Sequence, residues 1–342
     1  MLITLRTDCT DAQHASILEI IRNQGLSALP VPGRNRTAVC ITGNPTALAV
    51  DPFQHLPGVA EVIRVTKPYK LVSREVHPED TIVQVSDVAI GGENKPAIIA
   101  GPCSVESMER TLQVAQGVKS AGAVMFRGGA FKPRTSPYSF QGLGQSGLEI
   151  LAQVRTETGL PVVSEVLDRE SAELGAKYLD MLQVGARNMQ NFSLLKLVGR
   201  LGLPVLLKRG PSATLEEFLM AAEYLLAEGN GQVVLCERGI RTFSVHSRNT
   251  LDLNIVPLVR TLSHLPIIVD PSHGVGDRKR VRPMTRAALV VGAHGCIVET
   301  HTDPDTAYSD AAQTISVETL TEIVRERDLL HEVLDSRLEV RA

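Results

Sequence analysis

The sequence predicts an α/β protein in which a parallel (β/α)8 barrel, a TIM barrel, follows a small ferredoxin-like α+β domain. Two observations predict this architecture. Eight short, continuously apolar runs alternate with helical stretches from about residue 95 onwards, as in a parallel sheet buried on both faces. The first 70 residues instead show short alternating strands around two helical stretches. The length of 342 residues suits a barrel of roughly 250 residues plus a module of less than about 100.

The N-terminal module, residues 1–70, is predicted to have the element order βαββαβ. Leu2 to Arg6 is typical of a short strand, and the apolar spacing within 11–23 predicts a helix that Gly25 ends. The remaining elements are predicted as strands over 26–31 and 37–42, a weaker helix over 45–54 and a last strand over 59–65. This order is that of a ferredoxin-like, split βαβ fold.

A polar connector, residues 71–95, separates the module from the barrel and contains two short candidate strands, 81–85 and 89–90. The barrel is predicted over residues 96–342. Its strands are predicted from the apolar runs that begin at Ala97, Val124, Pro161, Met181, Pro204, Gln232, Pro266 and Gly295. Eight strands with helical connections favour a closed barrel over the alternative, an open doubly wound sheet.

The composition excludes several classes of protein. The net charge of −3 and the isoelectric point near 6.3 indicate neither nucleic acid nor an anionic membrane as a partner. No apolar segment approaches the length of a transmembrane helix, and the first residues lack the pattern of a signal peptide. Five scattered cysteines without a CxxC pair predict reduced thiols, no structural disulfide and a cytoplasmic location.

Polar and reactive side chains follow every predicted barrel strand at its carboxyl end, where the working residues of such barrels lie. The largest group among them is cationic and consists of Arg127, Lys132, Arg134, Arg187, Lys208, Arg209 and Arg238. Guanidinium and ammonium groups in this number indicate ligands with more than one phosphate or carboxylate. For any single arginine, the alternative is a structural ion pair with a nearby acid.

A second group predicts a metal site. Cys103, His273 and Glu299 follow the first, seventh and eighth strands, which are neighbours once the barrel closes, and Asp310 lies in the next loop. A thiolate, an imidazole and two carboxylates suit a divalent Mn, Fe, Co or Zn ion, without deciding among them. Taken singly, Cys103 is more often a buried apolar residue, His273 a hydrogen-bonded core group and Asp310 a helix cap.

Five stretches of the barrel sequence carry a resemblance to a known family. They are Ala100-Gly-Pro-Cys-Ser-Val-Glu106, Phe126-Arg-Gly-Gly-Ala-Phe-Lys-Pro-Arg-Thr-Ser136, Gln183-Val-Gly-Ala-Arg-Asn188, Cys236-Glu-Arg-Gly-Ile-Arg-Thr242 and Asp270-Pro-Ser-His273. Together they resemble the 3-deoxy-D-arabino-heptulosonate 7-phosphate (DAHP) synthases over about residues 90–335. The N-terminal module resembles the ferredoxin-like regulatory domain of one subgroup. The resemblance implies a transferase that condenses phosphoenolpyruvate with erythrose 4-phosphate, the first step of the shikimate pathway to aromatic amino acids.

The nearest alternative is a 3-deoxy-D-manno-octulosonate 8-phosphate synthase, which uses arabinose 5-phosphate and shares the barrel and the phosphoenolpyruvate site. Those enzymes resemble Lys-Ala-Asn-Arg-Ser after the second strand. This chain has Lys132-Pro133-Arg134-Thr135-Ser136, which favours erythrose 4-phosphate. Two other classes stay open from the residues alone. One is an inactive barrel that senses phosphorylated metabolites, and the other is a phosphate-binding isomerase, which would not need the metal set.

The resemblance also implies a role for each site residue. Phosphoenolpyruvate would be held by Arg127, Lys132, Lys208 and Arg238, with Arg187 joining the phosphate contacts. The phosphate of the aldose would be held by Arg134, Thr135 and Ser136. The metal would be held by Cys103, His273, Glu299 and Asp310. Lys132, Cys103 and His273 are the expected catalytic residues, with Lys132 placed to donate a proton to the new hydroxyl.

The N-terminal module is expected to be regulatory. A small domain fused ahead of a pathway-entry barrel favours feedback control by an aromatic amino acid, tyrosine or phenylalanine. The alternative is a module that serves oligomer assembly alone. The resemblance further implies a homotetramer.

Overall fold

The computed structural model describes residues 1–32, 37–42, 48–63, 67–133, 136, 138 and 140–339, and only the backbone of residues 32 and 335–339. The chain divides into two compact units. One comprises Met1–Glu79 with Leu262–His264, and the other Asp80–Thr261 with Leu265–Ala342.

The first unit is built on a four-stranded antiparallel sheet. Its elements are β1 (Leu2–Leu5), α1 (Asp11–Asn23), β2 (Ser27–Pro32), β3 (Thr37–Thr42), α2 (Asp51–Gln54) and β4 (Val59–Ile63). The strands lie in the order β2-β3-β1-β4, which is the ferredoxin-like arrangement, so the predicted fold of this module is confirmed. Helix α2 is shorter than the helix predicted over 45–54, of which residues 45–47 lie outside the described part.

Alternation along the strands gives this sheet two apolar faces. Ile3 of β1 packs with Ile17 and Ile21 of α1 on one face. Its neighbour Leu2 points to the other face, where Val76 covers it. The two-residue period of a strand therefore explains why both faces are buried.

The second unit contains the barrel. Its eight parallel strands are β7 (Ala97–Gly101), β8 (Met125–Arg127), β9 (Val162–Val166), β10 (Met181–Val184), β11 (Val205–Lys208), β12 (Val233–Glu237), β13 (Ile267–Val269) and β14 (Gly295–His301). Each strand pairs with the next, and β14 pairs with both β13 and β7, which closes the barrel. The closed barrel is thus confirmed over the open sheet.

The helices of this unit follow the strands. They are α3 (Met108–Ser120), α4 (Gln145–Thr158), α5 (Arg169–Gly175), α6 (Phe192–Arg200), α7 (Leu215–Ala227), α8 (Ile255–Leu262), α9 (Pro271–Val275), α10 (Arg278–Val290) and α11 (Val317–Glu339). Short 3-10 turns lie at Ala186–Asn188, Pro304–Thr306 and Ala311–Gln313, and β15 (Ile315–Ser316) pairs with the end of β14. Among the described helices, none is both long and apolar enough to span a bilayer.

A small hairpin fills the amino-terminal end of the barrel. It consists of β5 (Val83–Val85) and β6 (Val88–Ile90), the two strands predicted in the connector. Val83, Val85 and Ile90 join one apolar cluster with interior side chains of the barrel strands, such as Ile99 and Met125. Because this end is filled with apolar groups, the chemistry of the barrel is confined to the opposite, carboxyl end.

A close backbone approach lies at the end of β7. Gly101 has a φ of +153°, and a Cβ atom at this position would lie 2.0 Å from the carbonyl oxygen of Arg127. Only glycine allows the two chain segments to pass at this distance. The contact places the segment that carries Cys103 against the end of β8.

We therefore expect Gly101→Ala to lower the free energy of unfolding by more than about 3 kcal/mol, because backbone atoms must move apart to admit the methyl group. Gly159→Ala is the matched control. Gly159 also has a positive φ, +75°, but its Cβ would meet nothing within 4 Å. This control should cost only about 1 to 2 kcal/mol. Denaturant unfolding of both variants measures the difference, and equal costs would refute the steric argument.

Candidate active site

A cavity of about 480 Å³ opens at the carboxyl ends of the barrel strands. Of the residues predicted from the sequence, those that line it are Arg127, Lys132, Ser136, Arg187, Lys208, Arg238, His273 and Asp310. Cys103 and Glu299 are buried at the edge of this group, with 2% and 1% of their surface exposed. Arg134 and Thr135 lie outside the described residues. The distant stretches singled out in the sequence therefore converge on one cavity.

Three of the four predicted metal ligands form a compact cluster. One donor atom each from Cys103, Glu299 and Asp310 can be chosen so that all lie within 4.8 Å of one another. The Cys103 Sγ is 3.3 Å from Asp310 Oδ2. The fourth ligand, His273, places its Nε2 3.4 Å from Glu299 Oε1. A thiol, an imidazole and two carboxylates at these separations fit a borderline divalent transition metal.

Cationic side chains lie next to this cluster and favour the ionised form of the Glu299 carboxyl. Arg127 Nη1 lies 2.7 Å from Glu299 Oε1, and Lys132 Nζ lies 2.9 Å from Cys103 Sγ. Burial acts to raise the pKa of the Glu299 carboxyl, but His273, Arg127 and Lys132 outweigh it and lower this pKa to about 2. Glu299 is therefore an anion at neutral pH.

The Cys103 thiol has the opposite shift. Burial, followed by the neighbouring Glu299 carboxylate, raises the pKa of the Cys103 thiol to about 11. Without a metal, the sulfur therefore carries its proton at neutral pH. Binding of a divalent cation as a thiolate complex would release that proton, as is general for cysteine ligands.

A buried acid, Asp270, joins the cation pocket to the metal cluster. Its Oδ2 accepts from Lys208 Nζ at 2.5 Å and from His273 Nδ1 at 2.8 Å, and its Oδ1 accepts from the His273 backbone N–H at 2.9 Å. Burial raises the pKa of Asp270, but His273 and Lys208 more than offset this and hold the pKa well below its usual range.

Because a carboxylate only accepts, Nδ1 of His273 carries a proton in this contact, and Nε2 is the ring nitrogen that faces Glu299. From the sequence alone, Asp270 had no predicted role. The available signal was its position three residues before His273, as the cap of α9.

Among the predicted cations that the structure describes, Arg209 is the one that does not line the cavity. It is buried, and its Nη1 lies 2.9 Å from both Glu237 Oε2 and Asp252 Oδ2. Side chains along a strand point alternately to opposite sides. Leu206 and Lys208 of β11 point into the barrel, so Arg209, the next residue, points outward and does not reach the cavity. For Arg209, the alternative of a structural ion pair is therefore the correct one.

Three cavity residues were missed because they lie in the long loop after β12. Arg241, Arg248 and Asn249 line the cavity, although they follow the last residue of the strand by several positions. Glu165 and Gln183, from β9 and β10, line it as well. Loop residues carry no period that predicts which of them turns back toward the cavity.

The amino-acid sequence matches two known protein families. The family described as DAHP synthetase I matches residues 75–333, and the DAHP synthase ferredoxin-like domain matches residues 1–67. The chain belongs to the DAHP synthetase I family. Membership of this family confirms the resemblance drawn from the sequence motifs, for the barrel and for the N-terminal module alike.

Relatives of this family match over nearly the whole chain. A phospho-2-dehydro-3-deoxyheptonate aldolase of Thermotoga maritima is 47% identical over 334 residues, which is 98% of each chain. The crystal structure of a DAHP synthase from the same organism has a TM-score of 0.77 and covers 97% of each chain. A truncated form of the Thermotoga maritima synthase has a TM-score of 0.72 at 48% identity, and covers 78% of this chain and 97% of its own.

Octulosonate enzymes are more distant. A 2-dehydro-3-deoxyphosphooctonate aldolase of Syntrophotalea carbinolica is 32% identical over 278 residues, which cover 76% of this chain and 99% of that enzyme. About a quarter of this chain therefore has no counterpart in that enzyme. Both identity and coverage therefore place the chain with the heptulosonate enzymes.

Arg209 and Arg238 provide a test of which predicted cations bind substrate and which form structural ion pairs. We expect Arg209→Met to lower the free energy of unfolding by about 3 to 5 kcal/mol, because it leaves the Glu237 and Asp252 carboxylates without their partner. Arg238→Met should cost less than about 1 kcal/mol but should weaken the binding of inorganic phosphate. Denaturant unfolding and phosphate titration calorimetry measure the two effects. Loss of phosphate binding in a folded Arg209→Met variant, with Arg238→Met unaffected, would reverse the assignment.

Proposed function

We propose that this barrel condenses phosphoenolpyruvate with erythrose 4-phosphate on a divalent metal and releases inorganic phosphate. The observation that carries the proposal is the juxtaposition of a cation-lined cavity with the Cys103, Glu299 and Asp310 cluster. The Thermotoga maritima relative, 47% identical over 98% of each chain, is a phospho-2-dehydro-3-deoxyheptonate aldolase, which supports the same reaction here.

The cations of the cavity bind and orient two substrates that repel each other. Arg127, Lys132, Arg187, Lys208 and Arg238 are assigned to the phosphate and carboxylate of phosphoenolpyruvate. Lys208 and Arg127 are buried and already paired with acids, so their positions are fixed before the substrate arrives. Fixing two anions next to each other removes much of the entropic cost of a bimolecular step.

The phosphate of the aldose is assigned to Arg134, Thr135 and Ser136. Ser136 lines the cavity, and Arg187 Nη1 donates to the carbonyl oxygen of Pro133 at 2.7 Å. This hydrogen bond ties the segment after β8 to the loop after β10. Pro133, which directly precedes this motif, is thereby held beside Arg187, one of the cations assigned to phosphoenolpyruvate.

Cys103, His273, Glu299 and Asp310 are assigned as the metal ligands. Their donor set fits Mn, Fe, Co or Zn, and the choice among these four metals stays open. When bound there, such an ion would act as a Lewis acid toward the aldehyde oxygen of erythrose 4-phosphate. Asp270 fixes the imidazole of His273 for this role through its bond to Nδ1.

The reaction forms one carbon–carbon bond, and at C2 of phosphoenolpyruvate it exchanges the bond to the phosphate oxygen for a bond to a water oxygen. The C3 methylene of phosphoenolpyruvate attacks the aldehyde carbon, and water adds at C2. The bond from C2 to the phosphate oxygen then breaks as the C2 hydroxyl becomes the ketone, and the hydroxyl proton leaves with the phosphate. Lys132 Nζ, beside Cys103 and on the cavity wall, is placed to protonate the new hydroxyl. Glu165 is the cavity carboxylate outside the metal cluster among the described lining residues, and it can accept the proton of the attacking water.

We expect the chain to consume phosphoenolpyruvate with erythrose 4-phosphate, and to lose this activity on treatment with a chelator. Cys103→Ala should lose metal-dependent activity, because the site loses its thiolate ligand. The measurement is the decrease in phosphoenolpyruvate absorbance with the purified enzyme, with arabinose 5-phosphate offered in parallel. Faster turnover of arabinose 5-phosphate would contradict the substrate assignment, and full turnover by chelated Cys103→Ala would contradict the ligand assignment.

Regulation is assigned to the N-terminal module, with tyrosine or phenylalanine as the effector. The match of residues 1–67 to the DAHP synthase ferredoxin-like domain supports this assignment. A homotetramer is assigned from the sequence resemblance alone. None of the five cysteines, all of which lie in the described part, forms a disulfide, which supports a cytoplasmic enzyme.

We expect millimolar tyrosine or phenylalanine to inhibit the full-length enzyme, and deletion of residues 1–70 to leave an active, insensitive barrel. The truncated Thermotoga maritima structure is a precedent for a stable shortened form in a relative. Initial rates with each of the three aromatic amino acids are the measurement. A full-length enzyme that ignores all three would rule out feedback control and favour a role in assembly.

A further inference from the structure

We propose that Gln313 is a positioning residue for the metal centre, which fixes the Glu299 carboxylate through an amide that Arg248 holds in place. The inference rests on the proposed function, because Glu299 is a metal ligand only under that assignment. Gln313 ends the 3-10 turn Ala311–Gln313 that directly follows Asp310.

The hydrogen bonds of Glu299 show why one more partner is needed. Its Oε1 is held by Arg127 Nη1 at 2.7 Å and faces His273 Nε2 at 3.4 Å. Its Oε2 accepts from Gln313 Nε2 at 2.5 Å. Gln313 has only 2% of its surface exposed, so water does not substitute for this bond. Without the amide, both remaining contacts of the carboxylate are at Oε1, and the group could rotate about that oxygen.

The chemistry of the neighbours allows only one orientation of the amide. Gln313 Oε1 accepts from Arg248 Nη1 at 2.8 Å. A guanidinium only donates and a carboxylate only accepts, so the NH2 group must face Glu299. The neutral amide adds no charge to the site, whereas a glutamate here would repel Glu299 and a lysine would compete with the metal.

Arg248 is itself held by the segment that carries His273. The backbone N–H of Arg248 donates to Val275 at 3.4 Å, and Asn249 Nδ2 donates to the carbonyl oxygen of His273 at 2.9 Å. Gly276, at a φ of +68°, makes room for this segment, because a Cβ there would lie 2.6 Å from the Arg248 Cβ. Arg248 Nη1 also lies 3.6 Å from Asp310 Oδ1. The loop after β12 therefore touches His273 and Asp310 directly, and Glu299 through Gln313.

The test is the metal dissociation constant of the full-length chain, measured with Mn²⁺ by competition with a chromogenic chelator. Gln313→Leu keeps the side-chain volume and removes both hydrogen bonds, and should raise the dissociation constant by about 10-fold or more. Gln183→Leu is the matched control, since Gln183 is also buried and donates to a glutamate, Glu165, that belongs to no metal cluster. Its metal affinity should equal that of the wild type.

A spectroscopic measurement separates positioning from general loosening. With Co²⁺ bound, Gln313→Leu should change the visible d–d bands, which report ligand geometry, whereas Gln183→Leu should not. Arg248→Lys keeps the charge near Asp310 and removes the planar fork, so it should raise the dissociation constant in the same direction but less. Because Arg248 is partly exposed, this variant decides the question alone if circular dichroism shows that Gln313→Leu does not fold.

The inference is overturned if Gln313→Leu binds Mn²⁺ with wild-type affinity and shows wild-type Co²⁺ bands. If Gln313→Leu does not fold, the same result for Arg248→Lys overturns it. Cys103→Ala, measured alongside, keeps the two proposals apart. If Cys103→Ala loses metal affinity while Gln313→Leu retains it, only the positioning role fails. If Cys103→Ala binds metal as the wild type does, the proposed metal site itself is wrong.

Discussion

A buried cluster of opposite charges at the carboxyl end of the barrel is the feature on which the rest of the site depends. Glu299 and Asp270 are almost wholly buried, and each is paired with a cation from another strand, Arg127 and Lys208. Removing either partner of such a pair would leave an uncompensated buried charge, which costs several kcal/mol. The pairs are therefore retained for the positions they impose on reactive groups, more than for stability.

These pairs also link two kinds of chemistry. Lys208, assigned to phosphoenolpyruvate, and His273, assigned to the metal, share Asp270. Arg127 similarly connects the cavity wall to Glu299. A substrate anion that engages Arg127 or Lys208 competes with the acids for the same donors, so substrate and metal sites are coupled through shared hydrogen bonds. The apolar hairpin Val83–Ile90 at the other end of the barrel leaves this end as the place where such charges can be accommodated.

The barrel and its module were predictable because each strand signal is local. Continuously apolar runs such as Ile98–Ala100 mark strands buried on both faces, and the residues after them fall at one end of the barrel by topology alone. The metal set was predicted from that rule, since Cys103, His273 and Glu299 each lie within four residues of the end of a strand.

The remaining parts of the site depend on tertiary contacts. Arg248 and Gln313 reach the site from loops, and no sequence period indicates which loop side chain turns toward a ligand. The side chain of Arg209 does not face the cavity, because the alternation along β11 that turns Leu206 and Lys208 inward turns Arg209 toward Glu237. Arg134 and Thr135 lie outside the described residues, and their assignment to the aldose phosphate stays a prediction from the motif.

The most direct measurement is an anomalous-scattering map of crystals grown with Mn²⁺ and phosphoenolpyruvate, collected near the manganese absorption edge. The account predicts one strong peak within coordination distance of Cys103, His273, Glu299 and Asp310, with the phosphoenolpyruvate phosphate and carboxylate against the cavity arginines and lysines. A fully occupied manganese peak elsewhere, with those four side chains coordinating nothing, would contradict it.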